Sequence, residues 1–253
     1  MLMSNSVHYL YDKIVDIELI FCNNSVISYP LHNHVSVFTI GLVLYGSIAL
    51  TIGEKSCVCK ENHTFTILPY TPHIIKANEP YSLLTLCINK NVIMRHSKEE
   101  IKNNICRLLI ATSELHLNKT QIMQLTNSFD YINGYADLHF NHSSVDFIRE
   151  QLECSPEKQF RIEEMADIAY ISKYHFIRNF KQAVGLTPHQ FQIQNRIRKA
   201  QHMLNNVENI TEVALATGFC DQSHFIKYFE KYVGLTPTEY KTACRLLTPN
   251  FPS

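Results

Sequence analysis

No apolar run in the chain approaches the eighteen or so residues that a membrane-spanning helix needs. The opening stretch, MLMSNSVHYLYDKIVD, has no basic start, no long apolar middle and no small-residue cleavage site. Both absences lead us to expect a cytoplasmic protein with no membrane partner. A cysteine framework is also missing. Eight cysteines, at 22, 57, 59, 87, 106, 154, 220 and 244, follow no repeated spacing, so reduced and mostly buried thiols are expected. Net charge is absent as well, with 23 Lys+Arg against 23 Asp+Glu, which at first sight argues against a nucleic-acid partner. Nor is there the composition of a disordered chain. Hydrophobic residues make up 45% and charged ones 18%, and 253 residues suit two modest domains, each with its own core.

The distribution of charge says more than its sum. From residue 143 onward there are 13 Lys+Arg and 12 Asp+Glu, so neither half is strongly basic. Between Ile168 and Val207, however, there is no acidic residue, while Lys173, Arg178, Lys181, Arg196, Arg198 and Lys199 all fall there. A solvated helix face normally mixes signs, so a stretch of one sign points to a polyanion nearby.

Residues from about 14 to 89 read as short strands rich in Ile, Val, Thr and Phe: IVDIELIFC, SVFTIGLVL, SIALTIG, SCVCK, HTFTILP and SLLTLCI. Turn residues interrupt them closely, as in Gly46-Ser47, Gly53-Glu54 and Glu79-Pro80, which suggests a small barrel or sandwich. Cys57 and Cys59, two apart in one such strand, should face the same side; a pair of this kind can bind metal or sense redox state. Near Ser97 the period changes. Ile101, Ile105, Leu108 and Leu109 share one helical face, and Ile122, Leu125, Phe129 and Ile132 share another. These two helices either pack on the barrel or form a homodimer contact. The polar segment around 140–145 is the expected boundary, and from Val145 onward the pattern is helical throughout.

Here the chain repeats itself. FIRNFKQAVGLTP, Phe176 to Pro188, and FIKYFEKYVGLTP, Phe225 to Pro237, agree at eight of thirteen positions. Upstream, Ala166 aligns with Ala214 at a shift of 48 rather than 49, so one turn is longer by a residue. Two copies are a duplicated module, not a solenoid. Each reads as helix, tight turn, helix. Ser172 and Asp221 are the expected caps of the second helices, Gly185 and Gly234 their ends, and Pro188 and Pro237 the starts of the next. Phe176 with Phe180, and Phe225 with Phe229, would hold the second helices inward. Their outward faces would then present Lys173, Tyr174, Ile177, Arg178 and Lys181 in one unit, and Gln222, Ser223, His224, Ile226 and Lys227 in the other. These donor-rich faces suit phosphates and base edges in a major groove. The joining helix, about His189 to Asn205, would span roughly 25 Å, less than the ~34 Å between successive major-groove faces. Such a spacer favours bent DNA.

RIRKAQHMLNNVENITEVALATGFCDQSHFIKYFEKYVGLTPTEYK, Arg196 to Lys241, resembles the signature of the AraC/XylS-type transcription regulators. The resemblance covers Val145 to about Leu247. It implies an α+β protein: residues 1–142 as a cupin-like sensory and dimerisation domain (barrel about 14–90, helices about 97–140), and residues 143–253 as an all-α double helix-turn-helix domain. It further implies sequence-specific binding to double-stranded promoter DNA, contact with RNA polymerase, a homodimer, and more often activation than repression. Carried over by position, the base-contact candidates are Tyr174, Ile177 and Arg178, then Gln222, Ser223, His224, Ile226 and Lys227, with Lys173 and Lys181 at phosphate-contact positions. Arg178 is the first choice for a base-specific contact, because a guanidinium can bond guanine O6 and N7 together.

The N-terminal half resembles the family's cupin-like sensory domain through LHNH (Leu31 to His34), Gly46 and ILPYTPHIIKA (Ile67 to Ala77). His32, His34 and, from across the fold, His73 would converge. They would hold a divalent metal such as zinc or nickel, line the site of a small organic effector, or serve structure alone. Cupin metal sites take a carboxylate shortly after the second histidine, and Ser36 to Thr39 supply none; His63, Cys57 and Cys59 are the substitutes. Two rival functions follow: a sensor-less regulator whose barrel only dimerises, and a cupin enzyme with a helical appendage. Of these readings a regulator, not an enzyme, is expected.

Overall fold

A computed structural model of the chain describes residues 6–12, 16–112, 115–133, 144–207 and 209–247. The expected boundary near 142 lies outside these residues. Nine strands come first: β1 (Ser6–Asp12), β2 (Ile17–Ser25), β3 (Tyr29–His32), β4 (Val37–Tyr45), β5 (Ser47–Ile52), β6 (Lys55–Lys60), β7 (Thr64–Ile67), β8 (His73–Ala77) and β9 (Tyr81–Asn89). Helices α1 (Lys90–Arg95), α2 (Lys98–Ala111) and α3 (Lys119–Asn133) follow. The C-terminal part holds α4 (Ser144–Cys154), α5 (Ile162–Ile168), α6 (Lys173–Val184), α7 (Pro188–Leu204), α8 (Ile210–Ala216), α9 (Gln222–Val233), α10 (Pro237–Ala243) and a last strand, β10 (Cys244–Leu247).

The strands form two sheets, one in the order β10-β1-β2-β9-β4-β7 and one in the order β3-β8-β5-β6. All pairings are antiparallel except β1 with β10, which run parallel with Tyr9 opposite Cys244. The expectation of an all-helical C-terminal part is corrected by this strand. It covers the outer edge of β1, whose backbone groups would otherwise stand open at the end of the sheet. The strand β1 itself, upstream of the stretch read as barrel, was likewise not foreseen.

The apolar faces of α2 and α3 are covered by the six-stranded sheet. Ile101, Ile105, Leu108, Leu109, Leu125, Phe129 and Ile132 are buried in one cluster with Ile40, Leu84 and Leu86. Of the two alternatives for these faces, the structure shows packing on the sheet. A second cluster joins Met165, Ala166, Phe176 and Phe180 of the first helix-turn-helix unit and Phe191 of α7 to Val35 of the N-terminal half. The third runs straight across the molecule, from Tyr9, Ile48 and Leu50 in the sheets to Ile197, Phe225 and Phe229 in the helices. The two halves therefore do not keep separate cores. At ~25 cal/mol per Å² of apolar surface, a shared core of this kind ties them together strongly. Among the described residues no helix is long and apolar enough to cross a membrane. The cysteines are all free thiols, yet only Cys22, Cys59 and Cys87 are buried and Cys57, Cys154 and Cys220 are exposed, fewer in the core than expected.

Each helix-turn-helix unit is built by local chemistry. Ser172 accepts a hydrogen bond from the His175 amide and Asp221 one from the His224 amide, capping α6 and α9. Thr187 with Gln190, and Thr236 with Glu239, form reciprocal capping boxes ahead of Pro188 and Pro237. The turns differ in one respect. Gly218 sits at φ +87°, and the equivalent position in the first unit is Tyr170, at φ +55° and almost fully exposed. A Cβ on Gly218 would overlap the carbonyl oxygen of Glu157, so this turn accepts no side chain. Gly218→Ala is expected to lower stability by about 2 kcal/mol or more in urea melts. Gly53→Ala, at φ +58° with open space around it, should cost about 1 kcal/mol.

Candidate functional site

The first candidate surface is the pair of second helices. Phe176, Phe180 and Val184 bury one side of α6, and Phe225, Phe229 and Val233 the matching side of α9. On α6 the opposite side exposes Lys173, Tyr174, Arg178 and Lys181, with Ile177 half-buried. Lys173 reaches Glu163 of α5 at 2.7 Å. Both side chains are half-exposed, so this pair contributes little to stability. On α9, Gln222, Ser223 and Lys227 are exposed, and Gln222 accepts a bond from the Thr211 hydroxyl at 2.8 Å. His224 is half-buried and lies edge-on to Tyr228, with ring centroids 4.9 Å apart. Ile226 is half-buried too and packs against the shared core.

The basic stretch between the units has a different role from the one its charge suggested. Arg196 of α7 is 9% exposed and donates to the carbonyl oxygens of Pro156, Glu157, Lys158 and Gly218, at 2.6–3.4 Å. Gln192, one turn earlier, donates to Pro156 and Lys158 as well. Arg198 points into the molecule and donates to the Val35 carbonyl at 3.1 Å. Lys199 pairs with Glu157 at 2.8 Å. The reading of these three as partners of a polyanion is thus corrected. Their acceptors are the carbonyls and carboxylates of the chain itself, because α7 is packed on nearly every side.

The second candidate site is a cavity of about 250 Å³ between the sheets and the helices, walled by β-sheet residues such as Tyr9, Glu18 and Tyr29 and by Arg198, His202 and Tyr232 of α7 and α9. His32, His34 and His73 meet on its wall. In the β3–β8 pairing His32 stands directly opposite His73. The ring centroids are 4.1 Å apart for His32 and His73, 5.0 Å for His34 and His73, and 5.3 Å for His32 and His34. Burial, then the neighbouring imidazoles, push His32 down to about 3 and His34 well below the usual histidine range; burial lowers His73 too. At neutral pH all three rings are uncharged. One ligand atom from each lies within 4.8 Å of the others. The substitutes for a missing carboxylate do not join them: Cys57 and Cys59 lie 3.9 Å apart on β6, and His63 faces the Lys60 amide.

Sequence reasoning brought the three histidines together but missed the residues that complete the cavity. Arg198 was visible only as one more basic residue, and Glu18 carried no signal at all. The residue between the two histidines, Asn33, is buried; its amide N–H donates to Gln194 and its side chain to the Val184 carbonyl, at 3.2 and 3.1 Å. Desolvation raises Glu18 to about 7, against a smaller pull from Arg198. A carboxyl group whose folded value is raised binds more protons folded than unfolded between about 4.5 and 7, so it lowers stability as pH rises through that window. Glu18→Gln should therefore be more stable than the natural chain at pH 8, by about 1–3 kcal/mol, and should match it near pH 4.5, as read by denaturant melts.

Comparison with known proteins agrees with this architecture. Residues 165–243 match the family model described as a helix-turn-helix domain, HTH_18. The HTH-type transcriptional regulator YbfI of Bacillus subtilis is 24% identical over 224 residues, covering 77% of this chain and 80% of that one. The probable transcriptional regulator LumQ of Photobacterium leiognathi is 23% identical over 203 residues, covering 71% of this chain and 82% of LumQ. Among solved structures, ToxT of Vibrio cholerae superposes with a TM-score of 0.58 over 90% of this chain and 98% of that one, at 12% identity, a likeness of fold. With two capped helix-turn-helix units in tandem behind a two-sheet N-terminal half, the chain carries a helix-turn-helix domain over residues 165–243 and is similar over most of its length to HTH-type transcriptional regulators.

Proposed function

We propose that the chain binds promoter DNA sequence-specifically, with α6 and α9 in successive major grooves, and that a small ligand in the interdomain cavity adjusts this binding. The observation that carries the reading is the tie made by Arg196, which holds the entrance of the first unit and the turn of the second to one helix. At 17 residues α7 spans about 25 Å, short of the ~34 Å groove repeat, so DNA bent toward the protein is the better substrate. Tyr174, Ile177 and Arg178, with Gln222, Ser223, His224, Ile226 and Lys227, are the groove-facing set; Lys173 and Lys181 take phosphates.

The cavity supports the sensory half of the reading. Its wall is drawn from both halves, so a ligand inside touches the sheets and α7 together. ToxT has been solved with an unsaturated fatty acid bound, and a carboxylate would find in this chain's cavity the Arg198 guanidinium. Asn33 and Val35 alternate with His32 and His34, and both grip the first helix-turn-helix unit. Ligand-induced movement of the histidines thus passes directly to the reading domain, a shift between two populations. This favours a sensing regulator over one whose barrel only dimerises. Homodimerisation through α2 and α3, whose outer side exposes Ile110, Met123 and Tyr131, contact with RNA polymerase, and activation rather than repression complete the reading.

Genomic fragments selected by the purified chain provide the test. Arg178→Ala should cost about 1–3 kcal/mol on the selected site and relax preference at one base position. Lys181→Ala should weaken all sites alike and flatten the salt dependence. Equal, sequence-blind losses from both would refute the assignment. In Asn33→Ala the affinity for DNA should lose its response to a cavity ligand such as decanoate, the response being measured by fluorescence anisotropy with and without it.

A further inference from the structure

The outer edges of the three histidines determine what their inner edges can do. His32 Nδ1 lies 2.7 Å from the Pro30 carbonyl oxygen, and His73 Nδ1 lies 2.9 Å from that of Thr71. A carbonyl only accepts, so each Nδ1 carries the ring proton and donates it. In a neutral imidazole this leaves Nε2 as a bare lone pair. His34 Nδ1 stands 3.3 Å from the Thr39 hydroxyl, which can accept in the same way. His73 is 1% exposed, and its Nε2 has no hydrogen-bond partner. A buried nitrogen left in this way is costly unless something satisfies it.

Two lone pairs fixed in this way, with a third wherever His34 donates to Thr39, call for a cation. The outer bonds match what metal-bound histidines show, one ring nitrogen held by a carbonyl or hydroxyl while the other binds the ion. We propose that Nε2 of His32, His34 and His73 hold a divalent metal ion, zinc or nickel, with its remaining coordination position open to the interdomain cavity. Three imidazoles plus one exchangeable ligand is the donor set of an open zinc site. Tetrahedral zinc places its nitrogens roughly 3.3 Å apart, so the cluster, within 4.8 Å now, must close by about an ångström as metal enters. No carboxylate belongs to the triad, and the same cavity is lined by the Arg198 guanidinium as well as by Asp16 and Glu18. With three neutral imidazoles as its protein ligands the ion keeps its full double charge, so a small anion or a water-derived ligand is the fourth ligand. The metal site stands on this geometry; its consequence for DNA, through Asn33 and Val35, rests on the regulatory reading above.

The full chain, stripped with chelator and dialysed against cobalt(II) or zinc chloride, provides the test. One metal per chain by elemental analysis, and the intense visible absorption of four-coordinate cobalt that shifts on adding azide, are the expected results. His34→Ala and, separately, His32→Gln should each weaken metal binding by about 100-fold or more, with circular dichroism and thermal melts showing which variant keeps its fold. The Cys57→Ser, Cys59→Ser chain should bind like the natural one. If the natural chain takes up no more metal than a folded histidine variant, or if removing the two cysteines abolishes uptake, the proposal is wrong. Site-specific DNA binding is measured on the same samples. Loss of that binding with metal in place refutes the regulatory reading and leaves the metal site standing, whereas intact DNA binding without metal uptake does the reverse.

Discussion

A single guanidinium sets the geometry on which the DNA-binding part depends. Arg196 projects from the middle of α7 and bonds three carbonyls at the entrance of the first helix-turn-helix unit and one inside the turn of the second. Charge-assisted bonds of this kind are worth about 1.5–3 kcal/mol each before the cost of burying the charge. Their larger effect is geometric. Gly218 leaves room for the carbonyl of Glu157 at the same place, so turn, loop and helix close on one point. Two helices proposed to enter grooves at a set separation need such a point, because a helix alone fixes length and leaves the rotation of what is attached to each end free.

The packing between the halves extends this constraint to the sheets. Gly185, which ends α6, would meet Pro72 if it carried a side chain. Val35 sits among the phenylalanines of the first unit, and Arg198 bonds the carbonyl of that same residue. The four residues from His32 to Val35 therefore belong to two sites at once, with the imidazoles at the cavity and the intervening residues in the reading domain. Coupling through so short a segment needs no extended pathway. It needs only that the cavity have two arrangements that differ in where residues 32 to 35 lie.

How much of this could be read from the residues varies with the range of the interactions. The helix-turn-helix units were legible nearly to the residue, including the caps Ser172 and Asp221 and the terminators Gly185 and Gly234, because caps and turns are local chemistry and the duplication reports each twice. The strands β2, β4 and β9 were legible from their β-branched content. The short β8 was not read as a strand, being too brief to show a period; His32 and His34 were expected on one face of a strand, whereas β3 ends at His32 and His34 follows it; and β1 and β10 depend on each other across the chain. The three histidines were visible as a set through the resemblance of LHNH and HIIKA to a sensory barrel. Arg196 and Arg198 were misread for a physical reason. Sequence shows where a charge is but not which way a side chain turns, and a helix buried along most of its surface directs these two arginines to carbonyls of the chain itself.

The parallel pairing of β10 with β1 has a consequence for how the molecule comes into being. Tyr9 and Cys244, cross-strand neighbours, are separated by almost the entire chain, so the outermost seam of the larger sheet can close only after the ribosome has passed Leu247. Until then β1 presents an open hydrogen-bonding edge beside a half-built shared core, the kind of surface on which nascent chains pair with one another. Folding of this chain is thus a closure event as much as a sequential one, and its N-terminal half reaches its final form last.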